Sequence, residues 1–78
     1  MRQQLEIIEE IATHLGVTTQ DIDLHASFKD DLGLGPIEIS DLLTALSARF
    51  QITFDPTEIE DIHTVNDLVV MVEDLLLE

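Results

Sequence analysis

Apolar side chains recur with a helical period over the first part of the chain. They stand three or four positions apart, with polar residues in most of the gaps: Leu5, Ile8, Ile11, Ala12 and Leu15. This spacing predicts an amphipathic helix from Arg2 to Leu15 with that stripe facing inward. Gly16 follows at the position where a glycine ends many helices.

The periodicity stops between residues 17 and 35. Threonine, aspartate, serine and glycine in this segment predict a long structured loop, within which we expect a single helical turn. Apolar residues that we expect to hold the loop on the core are spread along it: Val17, Ile22, Leu24, Phe28, Leu32 and Leu34.

A second helical period begins at Pro36 and continues to about Phe50. Proline favours this start because its fixed φ suits the first helical position and its missing N–H is not needed there. The side chains that we expect to face inward again stand three or four apart: Ile39, Leu42, Leu43, Leu46 and Phe50.

A short link and a brief third helix are predicted next. Ile52 and Phe54 indicate an extended segment without helical period. Asp55 then stands as an N-cap before a proline at the first helical position, Pro56. We expect this helix to end at about Asp61.

The last helix is predicted from a capping-box pattern. Thr64 and Asp67 form it, with aspartate where glutamate or glutamine is usual. We expect the helix to continue to about Leu77 with an inward stripe of Leu68, Val69, Val72, Leu75 and Leu76. No run alternates enough to predict a strand. The prediction is therefore a single all-α domain over residues 1–78, a small four-helix bundle of three main helices, one short helix and a long first loop.

Three apolar residues of the last helix lie outside its inward stripe: Val70, Met71 and Leu77. A small bundle that buries a wide face would account for them. A surface for a partner or for weak self-association would also account for them. The sequence leaves both interpretations open, and with them the choice between a monomer and a weak self-associating state.

Charge narrows the range of partners. The chain has 17 acidic and 3 basic residues, a net charge of −14, and no cysteine. Such a field repels nucleic acid and anionic membranes and favours a protein partner with a basic surface, although acidity also serves solubility alone. No apolar run approaches the roughly 18 residues of a membrane span. We expect a cytoplasmic protein without membrane insertion.

The sequence contains no pattern typical of a catalytic or metal site. The three histidines, His14, His25 and His63, are far apart and form no zinc motif. A glycine loop that binds phosphate would need basic residues nearby, and Lys29 is the single one close to Gly33. We therefore expect neither an enzyme nor a metal site.

Three segments together resemble the acyl carrier protein family: "ASFKDDLGL", "DLLTALSARFQITF" and "DIHTVNDLV". The first contains the pattern Phe-x-x-Asp-Leu-Gly shortly before the second helix. The resemblance spans essentially the full chain and implies the family's four-helix bundle.

The resemblance also implies where a cofactor would be attached. In the family, a serine within Asp-Ser-Leu at the start of the second helix carries 4′-phosphopantetheine. Here Gly35, Pro36 and Ile37 stand in place of that motif. A proline ring has no nucleophile, so the resemblance implies that the cofactor is not attached at Pro36.

The family uses acidic residues on the second helix to dock basic patches of partner enzymes. Glu38 and Asp41 match that role, and the partner-binding residues that the resemblance implies are Leu34, Gly35, Pro36, Ile37, Glu38 and Asp41. Further along, where the family is usually acidic, this chain has Ser47, Ala48 and Arg49. That departure counts against binding to the standard fatty-acid synthesis enzymes and leaves open a different, more selective partner.

Three hypotheses follow. The first is an interaction module or adaptor that lacks the prosthetic group and is linked to acyl or lipid metabolism. The second is a working acyl or aminoacyl carrier that is modified at another residue. Ser40 is the substitute, one turn or about 5.4 Å beyond Pro36. If Ser40 is not modified, its hydroxyl would bond to the Pro36 carbonyl or face solvent. The third is a bundle that binds an apolar ligand without a covalent bond.

Overall fold

The computed structural model describes residues 2–77, which form four α-helices and one short 3-10 turn. Helix α1 (Arg2–Leu15) comes first and is followed by the 3-10 turn (Thr19–Asp21). The later helices are α2 (Pro36–Phe50), α3 (Pro56–Ile59) and α4 (Val65–Leu76). All four predicted helices and the turn within the loop are confirmed. Helix α3 ends at Ile59, two residues before the predicted end, and residues 60–61 form a turn.

The core lies where α1 packs against both α2 and α4. Its largest fully buried side chain is Phe28, which comes from the long first loop. The helices supply the other fully buried large side chains: Ile7, Ile11, Leu42, Leu46, Leu68, Val65, Val69 and Val72. Aliphatic burial of this kind stabilises a small domain through the apolar area that it removes from water.

The predicted inward face of α1 is wrong at one position. Leu5 is 54% exposed, whereas Ile7, which the spacing did not select, is fully buried. Leu5 shares a flank of the helix with Ala12, which is 1% exposed two turns later. The flank is buried at Ala12 and exposed to solvent at Leu5. The same helical face is therefore buried at one end and exposed at the other.

The long loop is held mainly through its backbone. The N–H groups of Val65 and Asn66, at the start of α4, donate to the carbonyls of Ala26 at 3.1 Å and Leu24 at 2.8 Å. Ser27 and Thr64 form an isolated antiparallel bridge. Of the predicted apolar anchors, Phe28 is buried and Ile22, Leu24 and Leu34 are half-buried, but Val17 and Leu32 are exposed, which corrects the prediction for those two.

The predicted caps are confirmed. Gly16 has φ +77°, and the N–H of Val17 donates to the carbonyl of Ala12 at 2.9 Å, which closes α1 in the geometry of a Schellman motif. At α4 the Thr64 hydroxyl accepts from the N–H of Asp67, and the Asp67 carboxylate accepts from the N–H of Thr64, both at 3.1 Å. The Asp55 carboxylate caps α3.

Helix α4 exposes part of its apolar surface. Val70 is 45% exposed and Leu77 is 78% exposed, whereas Met71 is half-buried against the core. Leu75 and Leu76, which the pattern assigned to the inward stripe, are only half-buried. A wide buried face therefore accounts for Met71 and does not account for Val70 or Leu77.

Candidate functional site

The start of α2 is the centre of the site, and its backbone is that of a regular helix entry. Gly35 has φ −87° and ψ 177°, an extended conformation typical of an N-cap residue. Its carbonyl accepts the first helical hydrogen bond, from the N–H of Ile39 at 3.0 Å. Pro36 follows as the first helical residue and is exposed. The residue is accessible, and its ring offers neither a hydroxyl nor an amine.

Glu38 bonds back to the backbone of Gly35. Glycine has no side chain to accept from the helix, so half of a capping box is present: the N–H of Gly35 donates to Glu38 Oε1 at 2.8 Å. A Cβ added at Gly35 would lie 3.0 Å from that same oxygen. A side chain at position 35 would therefore require the flexible end of Glu38 to shift slightly.

The predicted partner-binding residues come together at this end of α2, but they do not share one environment. Ile37 is 74% exposed, and Asp41 is exposed one turn later. Leu34 and Gly35 are half-buried. The carboxylate of Glu38 is engaged by Gly35, so Asp41 is the freer of the two acids at this end.

The far end of α2 carries a cation that contacts another helix. Arg49 Nε lies 3.8 Å from Glu10 Oε1 on α1, and its guanidinium stands 5.2 Å from the centroid of the Phe50 ring. An exposed pair of this kind adds little stability. It does place positive charge on α2 about two turns from Asp41 along the helix.

A cavity of about 480 Å³ opens beside Pro36, between the loop, α2 and the segment that contains α3. Its walls are mostly apolar, with Ile39 and Leu43 from α2 and Ile59 and Ile62 from the other side. Lys29 and Ser40 also line it. The sequence did not indicate Lys29, Ile59 or Ile62 as neighbours of Pro36, because no spacing rule connects these distant segments.

Ser40 is exposed, and of the two alternatives for its hydroxyl, solvent or the Pro36 carbonyl, it meets solvent. The hydroxyl of Thr44 donates to the carbonyl of Ser40 at 3.0 Å. Two other serines are engaged: Ser47 donates to the carbonyl of Ile52, and Ser27 Oγ accepts from the N–H of Asp30. Of these three serines, Ser40 has the hydroxyl that meets solvent, at the edge of the cavity.

A second depression, of about 210 Å³, lies between α1 and α2 and brings His14 beside Glu38 and Asp41. The sequence gave no signal for this neighbourhood. Within residues 2–77, no three histidine, aspartate or glutamate side chains are arranged to hold a metal ion. None of the helices in the described part of the chain has the length and apolar character needed to cross a membrane.

Known proteins are similar to this chain in sequence and in fold. A family model described as "Phosphopantetheine attachment site" matches residues 6–72. The acyl carrier protein of Exiguobacterium sibiricum is 38% identical over 69 residues, which cover 88% of this chain and 87% of that protein. The crystal structure of an acyl carrier protein from Thermotoga maritima has a TM-score of 0.76 at 26% identity and is matched over 94% of this chain and 85% of that one.

The apo doublet acyl carrier protein from prodigiosin biosynthesis has the same fold. Its TM-score is 0.74 at 23% identity, and the match covers 94% of this chain and 35% of that chain. At this identity the likeness concerns the fold alone. It agrees with the helical order and the long first loop described above.

Proposed function

This chain belongs to the phosphopantetheine attachment site family, and from that premise we propose that it is a carrier-like module that acts without the prosthetic group, as an interaction module or adaptor linked to acyl or lipid metabolism. The observation that carries the proposal is the residue at the start of α2. We assign Pro36 to the position that holds the attachment serine in carrier proteins. Its ring has no hydroxyl to form the phosphodiester, so the residue present does not fit the group.

The surroundings of Pro36 support a helix start that is retained although the residue for cofactor attachment is lost. Proline suits the first helical position, and glycine as an N-cap costs only a few tenths of a kcal/mol relative to aspartate. Glu38 keeps the other half of a capping box, through its bond from the Gly35 N–H. These neighbouring departures form one consistent arrangement, in which the shape of the carrier site is kept.

The partner that we propose is a cytoplasmic protein with a basic surface. Ile37 offers it a large exposed apolar contact beside the carboxylate of Asp41. A net charge of −14 would steer such a partner toward this chain. The far end of α2 is less acidic and contains Arg49. This supports a partner that differs from proteins that bind a uniformly acidic second helix.

The second candidate function is that of a carrier modified at Ser40. Its exposed hydroxyl at the edge of the apolar cavity favours this alternative over modification at Ser27 or Ser47, whose oxygens are engaged. The proposal of a non-covalent apolar ligand rests on the cavity alone.

A phosphopantetheinyl transferase assay distinguishes these functions. The chain is incubated with coenzyme A and a transferase of broad specificity, and its intact mass is measured. We expect the native chain to remain unmodified, because Pro36 has no nucleophile. The variant Gly35→Asp/Pro36→Ser/Ile37→Leu, which restores the family motif, is expected to gain one phosphopantetheinyl group.

Two controls give each outcome a meaning. A mass increase of the native chain that Ser40→Ala abolishes would replace the adaptor proposal with the alternative carrier. An increase that persists in Ser40→Ala would contradict both assignments. If the motif-restored variant folds, as judged by its helical circular dichroism, and still gains no mass, our assignment of position 36 is wrong.

A further inference from the structure

A groove between α3 and α4 lies apart from the start of α2. It has a volume of about 240 Å³, and we call it the α3–α4 groove. Val70 and Met71 of α4 contribute its apolar surface. Carboxylates line the rest of it: Glu58, Asp61, Asp67 and Asp74.

The α4 side of the groove is one face of the helix. Asp67, Val70, Met71 and Asp74 lie at positions i, i+3, i+4 and i+7, which share a face over two turns, or about 10 Å. The apolar pair is therefore bracketed along the helix by one carboxylate at each end. Val70 is 45% exposed, and a methionine beside it gives the surface an adaptable side chain.

Neither Lys29 nor Arg49 lies in the groove to neutralise its carboxylates. Lys29 lines the cavity beside Pro36, and Arg49 contacts Glu10 and Phe50. Asp61 and Asp74 are exposed. The N–H of Thr64 donates to the Asp67 carboxylate and holds its pKa below the ordinary value, so this group also stays ionised at neutral pH.

We propose that the α3–α4 groove docks a cationic amphipathic helix of a partner protein. Apolar side chains of that helix would cover Val70 and Met71, and lysine or arginine on its flanks would face the surrounding carboxylates. In helix-in-groove recognition, an amphipathic helix lays its apolar face into a groove of its partner. The site would be a second docking surface, independent of whether Pro36 carries a cofactor.

Charge selects this occupant over the others. A second copy of the chain would carry the same charge of −14, and its acids would approach those of the groove. An anionic membrane is repelled for the same reason. A cationic segment satisfies the carboxylates and the apolar pair at once.

The test uses the full chain labelled with ¹⁵N and a synthetic leucine–lysine peptide that forms an amphipathic helix. We expect saturable binding, with the amide shifts of residues 58–61 and 67–74 changing most. Val70→Lys is expected to weaken binding by at least about tenfold, as loss of a central apolar anchor does. Leu5→Lys, the matched control with the same charge change at an exposed apolar residue of α1, is expected to weaken it less than about twofold.

A second pair of variants separates the groove from the general acidity of the chain. Asp61→Asn/Asp74→Asn and Glu9→Gln/Asp30→Asn have the same net charge, and we expect only the first pair to reduce affinity several-fold. Equal weakening by both pairs, or shift changes centred on α2, would overturn the proposal. Concentration-dependent self-association of the native chain that Val70→Lys abolishes would assign the groove to a second copy and overturn it as well.

Discussion

At the scale of single residues, Gln51 ends α2 in a conformation that few side chains adopt readily. It has φ 56° and ψ 49°, in the left-handed region. Its N–H donates to the carbonyl of Ser47, and the N–H of Ile52 donates to the same carbonyl at 3.2 Å. The bonds that close the helix therefore require the left-handed residue, and a side chain with a Cβ is strained there.

Gln51→Gly is expected to stabilise the fold. Glycine removes the steric cost of the left-handed conformation, and part of that gain is offset by the larger backbone entropy of the unfolded chain. We expect the free energy of unfolding in urea to rise by about 0.5–1 kcal/mol. Gln51→Ala is the control and should not stabilise, because alanine keeps the Cβ. A stabilisation of equal size in both variants would contradict this explanation.

At the scale of an element, α4 begins with two reciprocal hydrogen bonds between Thr64 and Asp67. The Asp67 carboxylate also accepts from the N–H of His63 at 3.1 Å. The Thr64 N–H contributes most to holding the pKa of Asp67 below its ordinary value, against the opposing effect of burial. This turn also carries the backbone bonds from the long loop, so the cap joins two parts of the fold.

The cap makes part of the stability depend on pH. Because the folded chain holds the pKa of Asp67 down, it binds fewer protons than the unfolded chain just below about pH 4. The stabilisation is complete at neutral pH and is lost as the pH falls through the lowered pKa. We expect the free energy of unfolding, measured in urea between pH 7 and pH 3, to fall less with decreasing pH in Asp67→Asn than in the native chain. This smaller fall is the flattening of the acid loss.

Asp74→Asn provides the comparison on the same helix. It removes one exposed carboxylate and no capping bond, so the acid loss should remain. Protonation of the other carboxylates relieves repulsion between them in every variant. This effect therefore cancels when the stability curve of Asp67→Asn is compared with that of Asp74→Asn. Equal flattening by both substitutions would show that charge removal, and not the cap, is responsible.

At the scale of the whole molecule, the described ion pair is one exposed contact against a net charge of −14. Association with a basic partner should therefore depend on salt, since screening shortens the Debye length from about 10 Å at 0.1 M to about 3 Å at 1 M. The adaptor proposal places the contact with this partner at Ile37 and Asp41.

Partner capture from a cell extract tests that location. The native chain should retain at least one protein at 0.1 M salt that it releases toward 1 M, because screening weakens attraction between surface charges. Asp41→Lys should lose that protein, whereas Glu9→Lys, with an identical charge change on α1, should keep it. Loss with both variants would mean that overall charge, and not the start of α2, selects the partner.

The elements of this fold were predictable because their signals are local. Helix starts at Pro36, Pro56 and Thr64 depend on residues within one turn, and the structure begins helices at or directly after each. The cap by Gly16 is equally local. Burial was predictable only where a whole stripe faces the core, since Ile7 and Leu5 differ in what lies opposite them and not in their own chemistry.

The sequence by itself determined the helical order, the caps, the net charge and the absence of a nucleophile at position 36, because each depends on residue identity or on neighbours within one turn. Tertiary structure alone decided what surrounds those residues. It set Lys29 and Ile62 around the cavity beside Pro36, and it left Val70 exposed between carboxylates of two helices. These are contacts between distant segments, and their geometry comes from packing that no local pattern encodes.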